Sequence, residues 1–230
     1  MRDLLVITPS RSRPERLREM LAACLDLSTA ATDIAVGIDE DQAELYVGVC
    51  DDPRVKWFSG PRDTLAGWTN ALAVPHADKY RALASFGDDH MPRTPGWDSL
   101  LLAAIDAMGG TGIAYGNDLI FGEGLPTAPV ISADIVRALG WMCLPPLRHM
   151  AVDLVWKDLG SEAGCLAYVP EVTVEHVHWC NGKAPLDPVY AESEAGKDDD
   201  RARYFQWRQE RMADDVATVR ALRQEAGATA

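Results

Sequence analysis

Ala84-Ser85-Phe86-Gly87-Asp88-Asp89-His90 is the stretch on which the reading of this chain turns. An apolar run stops at two carboxylates and an imidazole, with Pro92 and Pro95 close behind. A strand that ends this way carries three potential metal ligands at its carboxyl end, the edge of an open α/β sheet where ligands bind. Asp and His together suit a divalent cation such as Mg²⁺, Mn²⁺ or Zn²⁺. A lone Asp-Asp is more often an acidic surface turn. Here the apolar lead-in and the rest of the chain favour a site.

Working outward, residues 80–86 form the strand that leads into this centre. Upstream, residues 4–7 read as a buried-type strand, and residues 8–14 (Thr-Pro-Ser-Arg-Ser-Arg-Pro) as a turn. Pro14 suits the first position of a helix. Apolar residues at Leu17, Met20, Leu21, Cys24 and Leu25 continue that helix to residue 27. Strands follow at 33–38, ending in Asp39-Glu40-Asp41, and at 55–58, closed by Ser59-Gly60-Pro61-Arg62; a helix is expected over 64–73. The alternation predicts an α/β fold with a mostly parallel sheet flanked by helices. Asp39 and the Asp88-Asp89 pair then share one edge. The chain has no GxGxxG after its first strand and no GxxxxGK[ST], so neither a dinucleotide fold nor a P-loop NTPase is supported.

Downstream, the pattern predicts a helix over 97–108, a strand over 112–115 ending in Gly116-Asn117-Asp118, and a strand over 128–131. A helix capped by Ser132 runs to Gly140. Residues 141–149 read as a loop on the body and 149–159 as a helix carrying Asp153. Strands are expected at 165–169 and 172–178, the second with His176 and His178. Residues 181–200 read as a polar loop and 204–225 as a last helix. This gives a catalytic domain over 1–180, with 181–230 a C-terminal loop and helix packed on it.

The bulk numbers agree. At 230 residues, 47% hydrophobic and 25% charged, the chain has the make-up of an ordinary globular domain. No apolar run reaches the roughly 18–20 residues of a membrane helix, and the N-terminal run is too short for a signal peptide. Five irregularly spaced cysteines without a CxxC argue against a disulfide framework, so a reducing cytoplasm is expected. A net charge of −13 disfavours a protein that wraps nucleic-acid phosphates. Local contact remains open, because Arg11, Arg13, Arg16 and Arg18 cluster near the N-terminus.

The order of these motifs resembles the GT-A glycosyltransferases, in particular the small family-two-like enzymes encoded by bacteriophages. The likeness runs over roughly residues 4–178. It implies that Asp88, Asp89 and His90 form a DxD-type motif holding a donor diphosphate through Mn²⁺ or Mg²⁺, with His176 or His178 as a further ligand. Thr8, Pro9 and Arg11 lie beside the nucleotide. Asp39 reads the uracil of a UDP-sugar, Arg62 sits near the diphosphate together with Asp88, and Asp153 is the catalytic base of an inverting transfer. Because the motif is DDH and not a strict DxD, the ligating pair stays open.

The chemistry fits independently. A cation neutralises the departing diphosphate, and a separate carboxylate must deprotonate the acceptor hydroxyl. The expectation is a metal-dependent hexosyltransferase using a nucleotide sugar. The phage-like resemblance points to 5-hydroxymethylcytosine in phage DNA as acceptor, which would require base flipping. A small-molecule, glycan or protein acceptor stays open. The rivals are a metal-dependent nucleotide-sugar hydrolase or nucleotidyltransferase and, last, a non-catalytic binding module.

Overall fold

The structure, a computed structural model, describes residues 2–228. In chain order the strands are β1 (Arg2–Ser10), β2 (Thr32–Asp39), β3 (Val55–Gly60), β4 (Tyr80–Ser85), β5 (His90–Pro92), β6 (Ile113–Asn117), β7 (Val130–Ser132) and β8 (Leu166–His176). The helices are α1 (Pro14–Leu27), α2 (Leu65–Ala73), α3 (Trp97–Ala107), α4 (Ala133–Leu139), α5 (Val152–Ala163), α6 (Pro188–Ala195), α7 (Lys197–Glu210) and α8 (Met212–Ala228). Among the described residues the strands form one mixed sheet in the order β3-β2-β1-β4-β7-β6-β8-β5.

β3, β2, β1 and β4 are all parallel, so Asp39 and the residues after β4 do share one edge. β7 runs antiparallel between β4 and β6, β8 is parallel to β6, and β5 antiparallel to β8. Both faces are covered, which explains the unbroken apolar run of β1. Leu5 and Ile7 point to the side of α2, α4, α5 and the C-terminal helices, where Tyr204, Trp207, Val216 and Val219 are buried. Leu4 and Val6 point to the side of α1 and α3. Among the described residues no helix is long and apolar enough to cross a membrane.

Several elements differ from the sequence expectation. Thr8-Pro9-Ser10 extends β1, paired with residues 36–38 of β2. Proline is tolerated there because the β4 pairing ends at Ile7, leaving that flank of β1 an edge. The strands expected at 165–169 and 172–178 are one strand, β8, whose register against β6 slips at Gly116/Asn117. A Cβ at Gly116 would stand 2.5 Å from the Val172 carbonyl oxygen, so the slip depends on glycine. Ser132 precedes α4 but caps nothing; its Oγ accepts the Gly112 N–H at 3.0 Å. The polar stretch 181–200 holds α6 and the start of α7, and the last helix breaks at Arg211.

Candidate active site

The turn after β4 is built for close approach. A Cβ at Gly87 would lie 2.5 Å from Asp89 Oδ1. The Gly87 N–H donates to His90 Nδ1 at 2.8 Å. His90 opens β5 and pairs across the ladder with His176 of β8, the two rings stacking at 4.2 Å. The Val177 N–H then donates to the Asp89 carbonyl at 2.8 Å. This register carries His176 and His178 to Asp89, and the ligating atoms of the three lie within 4.8 Å of one another.

The donor set fits a divalent cation. His176 Nε2 stands 3.5 Å from Asp89 Oδ2, the spacing of two ligands that share an ion at bonds of about 2.1 Å. His178 Nδ1 accepts the Cys180 N–H at 3.3 Å, which leaves its Nε2 for a metal. His90 Nε2 and His176 Nδ1 are buried polar atoms without a hydrogen-bond partner among the described residues. Burial brings His90 down to about 3 and His178 down to about 4, so both imidazoles are neutral at physiological pH, as ligation requires. Burial pushes Asp89 up, but His176 and the Tyr190 hydroxyl outweigh it and hold its carboxyl well below the usual range. Two imidazoles and one carboxylate suit Mn²⁺ or Zn²⁺ better than Mg²⁺, which prefers oxygen.

Asp88 faces another way. It accepts from Ser10 Oγ at 2.7 Å and from Arg13 at 3.1 Å, and burial pushes it up to about 6. Farther along the edge, Arg11 joins Asp39 at 2.6 Å and Asp41 at 2.8 Å. Asp39, itself buried, also accepts from Trp68 Nε1 at 2.8 Å and the Asp63 N–H at 3.1 Å. Thr8 is buried with its hydroxyl unpartnered among the described residues, and Pro9 lies beside it in β1. Arg62 lies at an exposed rim, paired with Glu192 of α6 at 2.6 Å.

No protein-family model matches the chain, and no curated protein matches it in sequence. Solved structures do. Similarity to S. aureus TarS (residues 1–349) in complex with UDP covers 75% of this chain and 60% of that one, with a TM-score of 0.57 and 11% identity. The match to the mannosyltransferase PcManGT from Pyrobaculum calidifontis, in complex with GDP-Man and Mn²⁺, covers 100% and 78%, with a TM-score of 0.58 and 13% identity. Glucosyl-3-phosphoglycerate synthase from Mycobacterium tuberculosis, in complex with Mn²⁺, UDP and phosphoglyceric acid, matches over 75% and 69%, with a TM-score of 0.51 and 12% identity. The chain has the GT-A glycosyltransferase fold. It spans 60% of the length of that TarS chain.

On this GT-A frame Asp153 occupies the first turn of α5, half-buried, its carboxylate accepting the Leu154 N–H at 2.8 Å. Burial shifts its carboxyl upward from the ordinary value, against the backbone N–H groups that hold it down. α5 enters through Ala151 in the left-handed region, φ +65°. The preceding turn is held from α7. The buried Asp200 accepts the N–H groups of Arg148, His149 and Met150 at 3.0, 2.9 and 2.8 Å.

Arg13, Asp118, Asp187, Tyr190 and Asp200 were outside the sequence-derived set. Asp118 was legible as a polar strand end. Its carbonyl accepts the His176 N–H at 3.0 Å, and its carboxylate gathers the N–H groups of residues 120–122. Arg13 was one of four clustered arginines with nothing local to single it out. Tyr190 and Asp200 act over 101 and about 50 residues of chain, distances at which no pattern signals a contact.

Proposed function

We propose that this chain is a metal-dependent glycosyltransferase that moves a sugar from a nucleoside diphosphate sugar to an acceptor hydroxyl. One observation carries the reading: Asp89, His176 and His178 converge beyond the carboxyl end of a central GT-A strand. When bound there, a divalent cation supplies charge neutralisation for the leaving diphosphate. The chain's own residues do the rest. Arg62, at the exposed rim, meets the phosphates. Asp39 has three of its roughly four acceptor positions filled, and the fourth is left for the imide N–H of uracil. Uridine is the favoured base because the TarS and synthase complexes both hold UDP. Thr8, Pro9 and Arg11 line the same edge.

Asp153 is the proposed base. Its raised affinity for protons suits it to take the acceptor's hydroxyl proton as that oxygen bonds to the anomeric carbon. The bond from that carbon to the phosphate oxygen breaks in the same displacement, and the nucleoside diphosphate departs with inversion. A small-molecule or glycan hydroxyl is favoured over a hydroxymethylated base in phage DNA. A net charge of −13 repels a duplex, whereas a small or uncharged acceptor meets no such barrier.

The test is a screen of UDP- and GDP-sugars with Mn²⁺ against glycans, small polyols, and plain and hydroxymethylated DNA, read by mass spectrometry. A glycosylated product with release of nucleoside diphosphate is expected. Free sugar without acceptor would favour a hydrolase, and pyrophosphate release a nucleotidyltransferase. Turnover on modified DNA alone would reverse the acceptor assignment.

A further inference from the structure

Helix α6 lacks the apolar stripe by which a surface helix normally docks. Of its eight residues, Tyr190 alone is buried. Polar contacts fix its start instead. Asp187 caps it, accepting the Val189 and Tyr190 N–H groups at 3.0 Å each. The same carboxylate receives the two-pronged Arg13 guanidinium at 2.7 Å per prong. Arg13 also lies over the Tyr190 ring, 3.9 Å from its centre. Cap, fork and stacking all converge on the placement of one side chain.

That side chain touches two of the three metal-donor residues. The Tyr190 hydroxyl donates to Asp89 Oδ2 at 2.7 Å, the oxygen nearest His176 Nε2. Its ring meets the His178 ring edge-on, with centroids 4.4 Å apart. Arg16 donates to the phenol oxygen at 2.8 Å. A phenol has one proton to give, and it goes to Asp89 at 2.7 Å in preference to the Val177 carbonyl at 3.4 Å. A carboxylate oxygen has two lone pairs, so Oδ2 accommodates this bond and a cation together. Such outer partners orient ligating groups and govern metal affinity.

We infer that Tyr190 is the positioning residue of the cation site, holding Asp89 and His178 in ligating geometry so that α6 and the cation order each other. The inference rests on the metal reading of Asp89, His176 and His178 proposed above. Coupling of this kind is reciprocal: the cation steadies α6 to the extent that α6 steadies the cation.

The experiment titrates Mn²⁺ by calorimetry into the full chain and into Tyr190→Phe, which keeps the ring and removes the O–H. Mn²⁺ affinity is expected to fall about ten- to a hundredfold. Hydrogen exchange gives a second readout: Mn²⁺ slows exchange across 188–195 in the wild type and much less in the variant. Asp187→Asn, which keeps the hydroxyl but weakens cap and fork, should lower affinity in the same direction and carries the test should Tyr190→Phe fail to fold. Equal or tighter Mn²⁺ binding by the folded variants, with exchange across 188–195 unresponsive to Mn²⁺, overturns the role of Tyr190 and leaves the metal reading intact. Failure of the wild type to bind Mn²⁺ overturns both.

Discussion

Replacing Asp200 by Asn tests whether the C-terminal helices set the geometry of the proposed base. The carboxylate is buried and accepts three backbone N–H groups, one on Oδ1 and two on Oδ2. Asparagine has one acceptor oxygen. Turned toward His149 and Met150, it sets its amide against the Arg148 N–H, donor facing donor. Hydrogen bonds to charged groups contribute about 1.5–3 kcal/mol each, so losing one outright and weakening two costs roughly 2–4 kcal/mol. For a chain of this size that is a fall of roughly 5–15 °C in melting temperature. The turn it holds leads through left-handed Ala151 into the helix of Asp153, and displacement of a reacting group by about an ångström costs about a hundredfold in rate. The metal donors come from other elements, the β4–β5 turn, the last residue of β8 and His178 just after it. Asp200→Asn should therefore melt lower and turn over nucleotide sugar about ten- to a hundredfold more slowly, with Mn²⁺ affinity unchanged in calorimetry. An unshifted melt, or Mn²⁺ affinity falling in step with turnover, would refute the reasoning.

Three further outcomes are expected. Asp89→Ala should abolish Mn²⁺-dependent donor binding, whereas Asp153→Ala should bind donor normally and lose transfer; equal losses of donor affinity would defeat the division of labour. Burial holds His90 at about 3 against about 6.5 unfolded. Below 6.5 the unfolded chain takes up a proton that the native chain does not, so stability falls with pH from 6.5 toward 3, by about 2 kcal/mol at pH 5. Asp88, at about 6 when folded, acts in the opposite sense between its unfolded value and 6. Denaturant melts of wild type and His90→Asn should thus converge as pH drops, and a constant gap would exclude the His90 contribution. Gly116→Ala drives a methyl into the Val172 carbonyl and should destabilise by roughly 1–3 kcal/mol in the same assay; an unchanged midpoint would show that the strand relaxes freely.

What was legible in the sequence depended on how local its cause is. The strand ending at Asp88-Asp89-His90 stood out because an apolar run covered on both faces stops at three consecutive ionisable residues, themselves buried. The β–α alternation through residue 86 was readable in the same way. β5 is three residues long, too short for any period to register; β7 answers to the strand expected over 128–131, but nothing local signals that it pairs antiparallel and, like β5 against β8, makes the sheet mixed. α6 escaped notice because a helix burying one tyrosine has no stripe to read. Of the expected ligands, Asp89, His176 and His178 were drawn together by the β5–β8 register, whereas Asp88 was drawn off by Ser10 and Arg13. That register is a property of pairing partners 86 residues apart.

The arginines at the carboxyl edge have one more consequence. Arg11, Arg13 and Arg62 each already grip a carboxylate: Asp39, Asp187 and Glu192. An anion arriving there swaps partners; it does not fill a bare cationic hollow. Mobile ions weaken the bridge that breaks and the bridge that forms alike. Donor capture through the exposed Arg62–Glu192 pair should thus be nearly indifferent to ionic strength.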